Sequence, residues 1–110
     1  MRVRILRLIP AAIFTCLVLT PALSAQMDAA KIYKTNCELC HGPDGSGNTG
    51  TGKAMHARDL RSDETQKQSD AALTEVISKG RGKMPAFGKK IKPEDITKLL
   101  AYIRILAAKK

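Results

Sequence analysis

The sequence has 110 residues and carries 19 lysines and arginines against 10 aspartates and glutamates, a formal net charge of +9. This length limits the chain to one small domain. A basic chain suits an anionic partner, but the aromatic residues make up only 4% and do not alternate with basic ones, so single-stranded nucleic acid is not the expected partner.

The first 25 residues have the pattern of a secretory signal peptide. Three arginines, Arg2, Arg4 and Arg7, precede an apolar run over 8–19, and small residues follow up to Ala25. We predict a signal peptide over 1–25, cleaved after Ala25 or, as second choice, after Ser24, and one domain over 26–110. The alternative is an uncleaved membrane anchor, although the run is shorter than the ~18 residues typical of a spanning helix.

Cleavage after Ala25 would leave a secreted chain of 85 residues. It removes three arginines and no acids from the 19 basic and 10 acidic residues, which leaves a net charge of +6. It also removes Cys16, so the two remaining cysteines are Cys37 and Cys40. So short a chain buries a limited core, and no structural disulfide is available to stabilise it.

The first helix of the remaining chain is predicted to run from Asp28 to about Cys40. Asp28 is a suitable N-cap, and apolar residues follow at helical spacing, namely Ala29, Ala30, Ile32, Tyr33 and Cys37. Tyr33 lies one turn before Cys37, and we expect its ring to pack against another helix.

This helix ends in the sequence Cys37-Glu38-Leu39-Cys40-His41, the Cys-x-x-Cys-His pattern of c-type haem attachment. Residues three and four apart share a helix face, so both thiols and the imidazole would point the same way. The thiols could then bond to the two vinyl groups of one haem, with His41 as the proximal iron ligand. A large apolar cofactor would also add buried apolar surface to the limited core of so short a chain.

Two other readings of the cysteine pair stay open at this point. A thioredoxin-like redox pair would need a βαβ setting, and none is visible. A zinc site would need His56 as a fourth ligand and two adjacent ligands, Cys40 and His41, bent towards one metal.

A glycine-rich loop is predicted from Gly42 to Gly52. No strand precedes it, no helix clearly follows it and the Gly-Lys-Ser/Thr ending is absent, so a structural role is favoured over phosphate binding. We expect one of its backbone carbonyls to accept the Nδ1–H of His41, as such bonds orient metal-binding histidines, but the sequence does not say which. The next stretch, 53–60, is ambiguous and contains two residues of ligand type, Met55 and His56.

Three further helical segments follow. Ser62 is expected to cap a short turn over 63–66, and Ser69 to cap a helix over 70–79 that ends at Gly80. The last helix opens at Pro93, with Lys92 as a poor cap, and carries a buried stripe made of Ile96, Leu99, Leu100, Ile103 and Leu106. No strand and no internal repeat is predicted.

Met84 is the expected distal iron ligand. It lies in the loop over 81–92, next to Pro85, and 43 residues beyond His41, which allows the chain to return on the opposite face of the haem. A thioether ligand raises the reduction potential relative to a nitrogen ligand. The competing interpretations are that Met84 only fills the core, or that His56 or Met55 binds the iron.

The attachment motif, the glycine-rich loop, the segment Gly82-Lys83-Met84-Pro85-Ala86-Phe87 and the final-helix segment Ala101-Tyr102-Ile103-Arg104 together resemble the small bacterial class I c-type cytochromes. The resemblance implies an all-α cytochrome c-like domain of three to four helices around one covalent haem c, with the first and last helices crossing near Tyr33 and Tyr102. It implies thioether bonds at Cys37 and Cys40, His41 as proximal ligand and Met84 as distal ligand. Ala29 and Lys92 depart from the glycine and serine that many relatives have, which bears on packing only.

With both axial positions filled, the expected function is one-electron transfer in the periplasm, with no enzymatic activity and no small-molecule substrate. The expected partners are redox proteins with acidic docking surfaces, since basic residues surround Met84: Lys79, Arg81, Lys83, Lys89, Lys90 and Lys92. Membrane contact would come only through a membrane-bound partner or an uncleaved signal segment. A subunit of a larger respiratory complex, a haem enzyme or sensor with an open iron site, and a haem-free thiol oxidoreductase remain alternatives.

Overall fold

A computed structural model describes residues 21–110, and this part of the chain is helical. Its segments are α1 (Pro21–Asn36), α2 (Glu38–His41), α3 (Gly50–Met55), α4 (Asp63–Gln66), α5 (Asp70–Lys79) and α6 (Pro93–Ala108). The one β-type pairing within 21–110 is an isolated bridge between Arg81 and Met84. The predicted all-α fold is confirmed. Three of the segments are long helices, and α2, α3 and α4 are short.

The predicted signal peptide lies outside the described residues up to position 20. Its last five residues, 21–25, lie within α1. The cleavage site after Ala25 stays a prediction.

The described part of the chain is already helical from Pro21, so the prediction of Asp28 as the N-cap of the first helix is wrong. The residues from Ala22 to Asn36 include four alanines and contain no proline and no glycine, so nothing in this stretch interrupts the helix. Asp28 therefore lies inside the helix, on its exposed side.

The predicted helix also bends at Cys37, where φ is −119° and ψ is −34°. The hydrogen bonds nevertheless continue through the bend. Cys37 N donates to Tyr33 O at 2.8 Å, and His41 N donates to Cys37 O at 2.9 Å. The helical spacing that the attachment motif needs is therefore kept, although it is shared between α1 and α2.

The crossing of α1 and α6 forms the centre of the core. Ala29 and Leu99 are fully buried, and the rings of Tyr33 and Tyr102 lie 5.3 Å apart, tilted by 50°. The small side chain of Ala29 lets the two helices approach closely. Every member of the predicted α6 stripe is buried: Ile96, Leu99, Leu100, Ile103 and Leu106.

The predicted ends of α4, α5 and α6 agree with the structure. Ser62 Oγ accepts from Thr65 N at 3.3 Å, and Ser69 Oγ accepts from Ala72 N at 3.1 Å. Helix α6 starts at Pro93, and the side chain of Lys92 makes no capping hydrogen bond. Side-chain caps are local interactions, and for this reason the sequence alone locates them.

The predicted loop over 42–52 is wrong in its last part, because Gly50–Met55 forms α3. Thr49 caps this helix, with its Oγ1 accepting from Gly52 N at 2.8 Å and donating to Leu39 O at 2.8 Å. Glycines disfavour helix, but here the Thr49 cap and close packing against α2 outweigh that preference.

Candidate functional site

A cavity of about 390 Å³ lies between the attachment motif, the 55–60 segment, α5 and the loop after α5. Its wall is mostly apolar and includes Leu60, Leu73, Val76, Pro85 and Phe87. The four residues expected to hold a haem, Cys37, Cys40, His41 and Met84, all line this one cavity. They come from α2, the bend before it and a loop more than 40 residues later, so folding brings them together.

His41 is held by a backbone carbonyl, but not by one in the loop over 42–52 as expected. Its Nδ1 lies 3.0 Å from Arg58 O. A carbonyl can only accept, so Nδ1 carries the proton and Nε2 keeps the lone pair that a metal requires. Arg58 lies beyond α3, and the sequence does not reveal that the chain folds back to His41 there.

Burial lowers the pKa of His41, and the hydrogen bond to the Arg58 carbonyl opposes this shift in part. Burial favours the neutral ring because a charged imidazolium loses its hydration in the cavity wall. A neutral imidazole with a fixed tautomer is the form that binds iron.

The turn after His41 is fixed by a contact that sequence reasoning missed. Gly42 has φ of +79°, which favours glycine, and its carbonyl accepts the Tyr33 hydroxyl at 2.7 Å. Burial, and secondarily Cys37, raises the pKa of Tyr33 well above its usual value. Tyr33 therefore stays a protonated donor and links α1 to the residue that follows His41.

The environment of Cys37 does not activate a thiolate. Burial, followed by the neighbouring Cys40, raises the pKa of Cys37 to about 11. Reactive cysteines of thiol oxidoreductases have a lowered pKa and sit in electropositive surroundings. Together with the helical setting, this speaks against the haem-free thiol oxidoreductase.

Met84 closes a tight turn that follows α5. Arg81 N donates to Met84 O at 3.1 Å, and Met84 N donates to Arg81 O at 2.9 Å. Gly82, with φ of +56°, occupies the first central position of the turn. The half-buried side chain of Met84 packs against the hydrophobic core and faces the cavity.

The two competing ligands line the cavity as well. Met55 is 44% exposed, and His56 is exposed and has a left-handed backbone with φ of +56° at the end of α3. Met84 differs from both, since paired backbone bonds fix its turn and core residues contact its side chain. Met27, which is 68% exposed on α1, does not line the cavity.

The residues present fit a haem. Two thiols, an imidazole and a thioether face one large apolar cavity, a donor set that suits covalent attachment and axial iron ligation. The zinc reading needs a compact group of ligands, and residues 21–110 contain no group of three or more His, Cys, Asp or Glu placed to hold a metal ion. Within the same residues, no helix has the length and apolar character needed to cross a membrane.

Comparisons with known proteins agree with this geometry. A family model described as cytochrome C oxidase, cbb3-type, subunit III matches residues 24–103. A cytochrome c6 from Nostoc sp. is 33% identical over 93 residues, which cover 84% of this chain and 81% of that protein. The cbb3-type cytochrome c oxidase subunit FixP of Bradyrhizobium diazoefficiens is 40% identical over 88 residues, which cover 76% of this chain but only 29% of FixP.

A solved structure named KustC0563 c-type cytochrome is similar in fold. Its TM-score is 0.63 and its sequence identity 33%, and the match covers 76% of this chain and 98% of that one. The overall fold is therefore shared with a protein of known structure.

Proposed function

The chain belongs to the small class I c-type cytochromes, and from this premise we propose that it is a periplasmic carrier that shuttles single electrons between redox proteins. The chain has the all-α cytochrome c-like fold, it carries a covalently bound haem c, and it is an electron carrier. What we propose beyond this is the compartment, the role as a mobile shuttle and the roles of individual residues.

We assign Cys37 and Cys40 to the two thioether bonds, His41 to the proximal ligand position and Met84 to the distal one. The observation that carries this proposal is that all four side chains line the same apolar cavity. Bound haem supplies reversible one-electron exchange at its iron.

The surrounding residues perform distinct tasks in this proposal. The Arg58 carbonyl keeps the proton of His41 on Nδ1 and so directs Nε2 to the metal. The Arg81–Met84 turn restricts the thioether to one position on the cavity wall. The apolar wall, which includes Leu73 and Phe87, excludes water from the ligands. With both axial positions taken by protein, no coordination site remains for a substrate, and the protein would not act as an enzyme.

A second function is favoured by a specific observation, namely the similarity to FixP. The matching family model and the 40% identity both refer to a subunit of a cbb3-type oxidase. The chain spans 29% of FixP, which leaves the remainder of that protein without a counterpart. Native purification separates the two functions, since a shuttle elutes alone and a subunit elutes with partner proteins.

The ligand assignment is tested by optical spectra of protein produced in a host that attaches c-type haem. We expect covalent c-type bands and a weak far-red ferric band from the iron–sulfur bond. Met84→Ala should lose the far-red band, and His41→Ala should lose the proximal ligand and with it the low-spin spectrum.

His56→Ala and Met55→Leu are the matched controls, because both residues line the same cavity. Both should keep the far-red band and the low-spin spectrum. If Met55→Leu loses the band and Met84→Ala keeps it, the distal assignment is wrong. If His56→Ala alone becomes high-spin, His56 is the ligand. Covalent haem absent from the wild-type protein would refute the proposed function itself.

A further inference from the structure

The haem cavity adjoins a second, more polar one of about 360 Å³. Gln68, Val76 and Arg81 line both. Lys79 and Glu75 line the second cavity only. The apolar cavity beside the attachment motif therefore borders, at Arg81, a second cavity whose wall includes charged residues.

Arg81 differs in its pairing from Arg58 and Lys79. Arg58 pairs with Glu64, and Lys79 pairs with Glu75 at 2.9 Å. Lys83 also lines the haem cavity and has no ion pair within the described residues, but its Nζ donates to Ala54 O at 3.4 Å. Among residues 21–110, the Arg81 side chain has no carboxylate within ion-pair distance and makes no hydrogen bond, so it is available for an acidic group.

The backbone on both sides of this opening is fixed. Arg81 exchanges two backbone hydrogen bonds with Met84, which ties its position to the proposed distal ligand. On the other side, Arg104 Nη2 donates to Gln68 O at 2.8 Å and so holds Gln68 against α6. Gln68 Nε2 makes one long hydrogen bond, 3.4 Å to Glu64 O, and remains a weakly engaged donor.

Haem is an apolar ring that ends in two propionate carboxylates. A carboxylate beside an apolar wall needs a cation or several donors, because it loses hydration there. A guanidinium suits this task better than an ammonium, since its planar fork donates two parallel hydrogen bonds to one carboxylate. We propose that Arg81, assisted by the amide of Gln68, binds a propionate of the haem where the two cavities meet.

This inference rests on the proposed function, because it requires the covalent haem. It assigns Arg81 a role of its own within the cluster of basic residues around Met84. Arg81 would bind the haem, and the lysines of the cluster would remain available to contact partner proteins.

The test uses the full haem-loaded protein and four variants: Arg81→Gln, Arg81→Lys, Lys83→Gln and Lys89→Gln. Lys89 is exposed, lies in the same loop and does not line the cavity, so it is the matched control for loss of one positive charge. The backbone bonds of Arg81 do not depend on its side chain, and Arg81→Gln should therefore fold. The readouts are the propionate bending mode in the resonance Raman spectrum and the reduction potential.

We expect Arg81→Gln to shift the bending mode and to lower the equilibrium constant for reduction by about three- to tenfold, where tenfold is 59 mV for one electron. In the wild-type protein the positive charge of Arg81 favours the reduced haem, which is less positive than the oxidised one. Removing this charge therefore lowers the reduction potential. Arg81→Lys should shift the propionate bending mode, because lysine lacks the two parallel donors of the guanidinium. The reduction potential should stay close to the wild-type value, because the positive charge is kept. Lys89→Gln should leave the mode unchanged and lower the potential less.

An unchanged mode in Arg81→Gln, with a potential shift no larger than that of Lys89→Gln, would overturn the assignment. A shifted mode in Lys83→Gln and not in Arg81→Gln would also overturn it. In both cases intact low-spin c-type spectra would show that the haem and its ligands, on which the proposed function depends, are still in place. A wild-type protein without covalent haem would instead refute the proposed function.

Discussion

Tyr33 is the residue whose position does most to connect the core with the haem site. Its ring belongs to the α1–α6 crossing, and its hydroxyl donates to the carbonyl of Gly42, directly after His41. The packing of the ring was predictable from helical spacing. The hydrogen bond was not, because it depends on the sharp turn at Gly42, where φ is +79°.

Tyr33→Phe removes the hydroxyl and keeps the ring. It leaves a buried carbonyl without its donor, and we expect the free energy of unfolding to fall by about 1–3 kcal/mol. Denaturant unfolding of the haem-loaded protein, followed by far-UV circular dichroism, measures this change.

Tyr102→Phe is the matched control, since Tyr102 stacks in the same ring pair and no hydrogen bond of its hydroxyl is found within residues 21–110. It should change the stability by no more than about 0.5 kcal/mol. Equal effects of the two substitutions would mean that the ring pair, and not the Gly42 bond, accounts for the loss.

At the level of the elements, α3 supports the attachment motif by packing against α2. The contact point is Gly52, where an added Cβ would lie 2.2 Å from Cys40 O and 2.4 Å from Gly47 O. Both neighbours are backbone atoms, which cannot move without shifting α2 or the loop. Gly52 is therefore required by close approach, and its position in a helix is tolerated for that reason.

Gly52→Ala should destabilise the protein by about 1–3 kcal/mol or more, the usual cost of overpacking. The displaced Cys40 should also lower the yield of covalently attached haem. Thermal unfolding and the ratio of haem absorbance to protein measure the two effects.

Gly50→Ala provides the control within the same helix. An added Cβ at Gly50 meets no atom within 4 Å, and alanine is the better helix former. This variant should be as stable as the wild type or more so, with normal haem content. If both variants lose stability to a similar extent, the cause is not the contact between position 52 and the Cys40 carbonyl.

At the level of the whole molecule, the basic residues around Met84 form a positive collar, defined as Lys79, Arg81, Lys83, Lys89, Lys90 and Lys92. All six are exposed. Within the described residues, Lys79 is the one member that pairs with a carboxylate, that of Glu75. The collar is therefore a net positive surface, and we propose that its lysines dock an acidic redox partner.

Electron transfer to an acidic partner protein should slow steeply as salt is added, because exposed charges are screened beyond about 8–10 Å at physiological ionic strength. At low salt, Lys89→Gln/Lys90→Gln should reduce the bimolecular rate about tenfold, within the range that electrostatic steering supplies. Stopped-flow spectroscopy measures the rate against ionic strength.

Lys109→Gln/Lys110→Gln removes the same charge at the far end of α6 and is the control. It should slow the reaction less, because neither residue belongs to the Met84 loop or lines the haem cavity. A flat salt profile of the wild-type protein would refute the collar as a docking surface.

The sequence by itself determined the helical class, the capped ends of α4 and α5, the buried stripe of α6 and the family. These features depend on interactions between residues near in sequence: Ser69 caps its own helix, and the spacing of Ile96 and Leu99 marks one helix face. The attachment motif and Met84 were recognisable for the same reason, as short patterns with a fixed spacing.

Only the tertiary structure decided which carbonyl holds His41, that Gly50–Met55 is a helix, and that Arg81 lies where an apolar and a polar cavity meet. Each depends on where distant segments come into contact. Arg58 reaches His41 from 17 residues away, and Gly52 is helical because α2 packs against it. Helix propensity and residue spacing describe one segment at a time, whereas these contacts are set by the packing of several segments around one cavity.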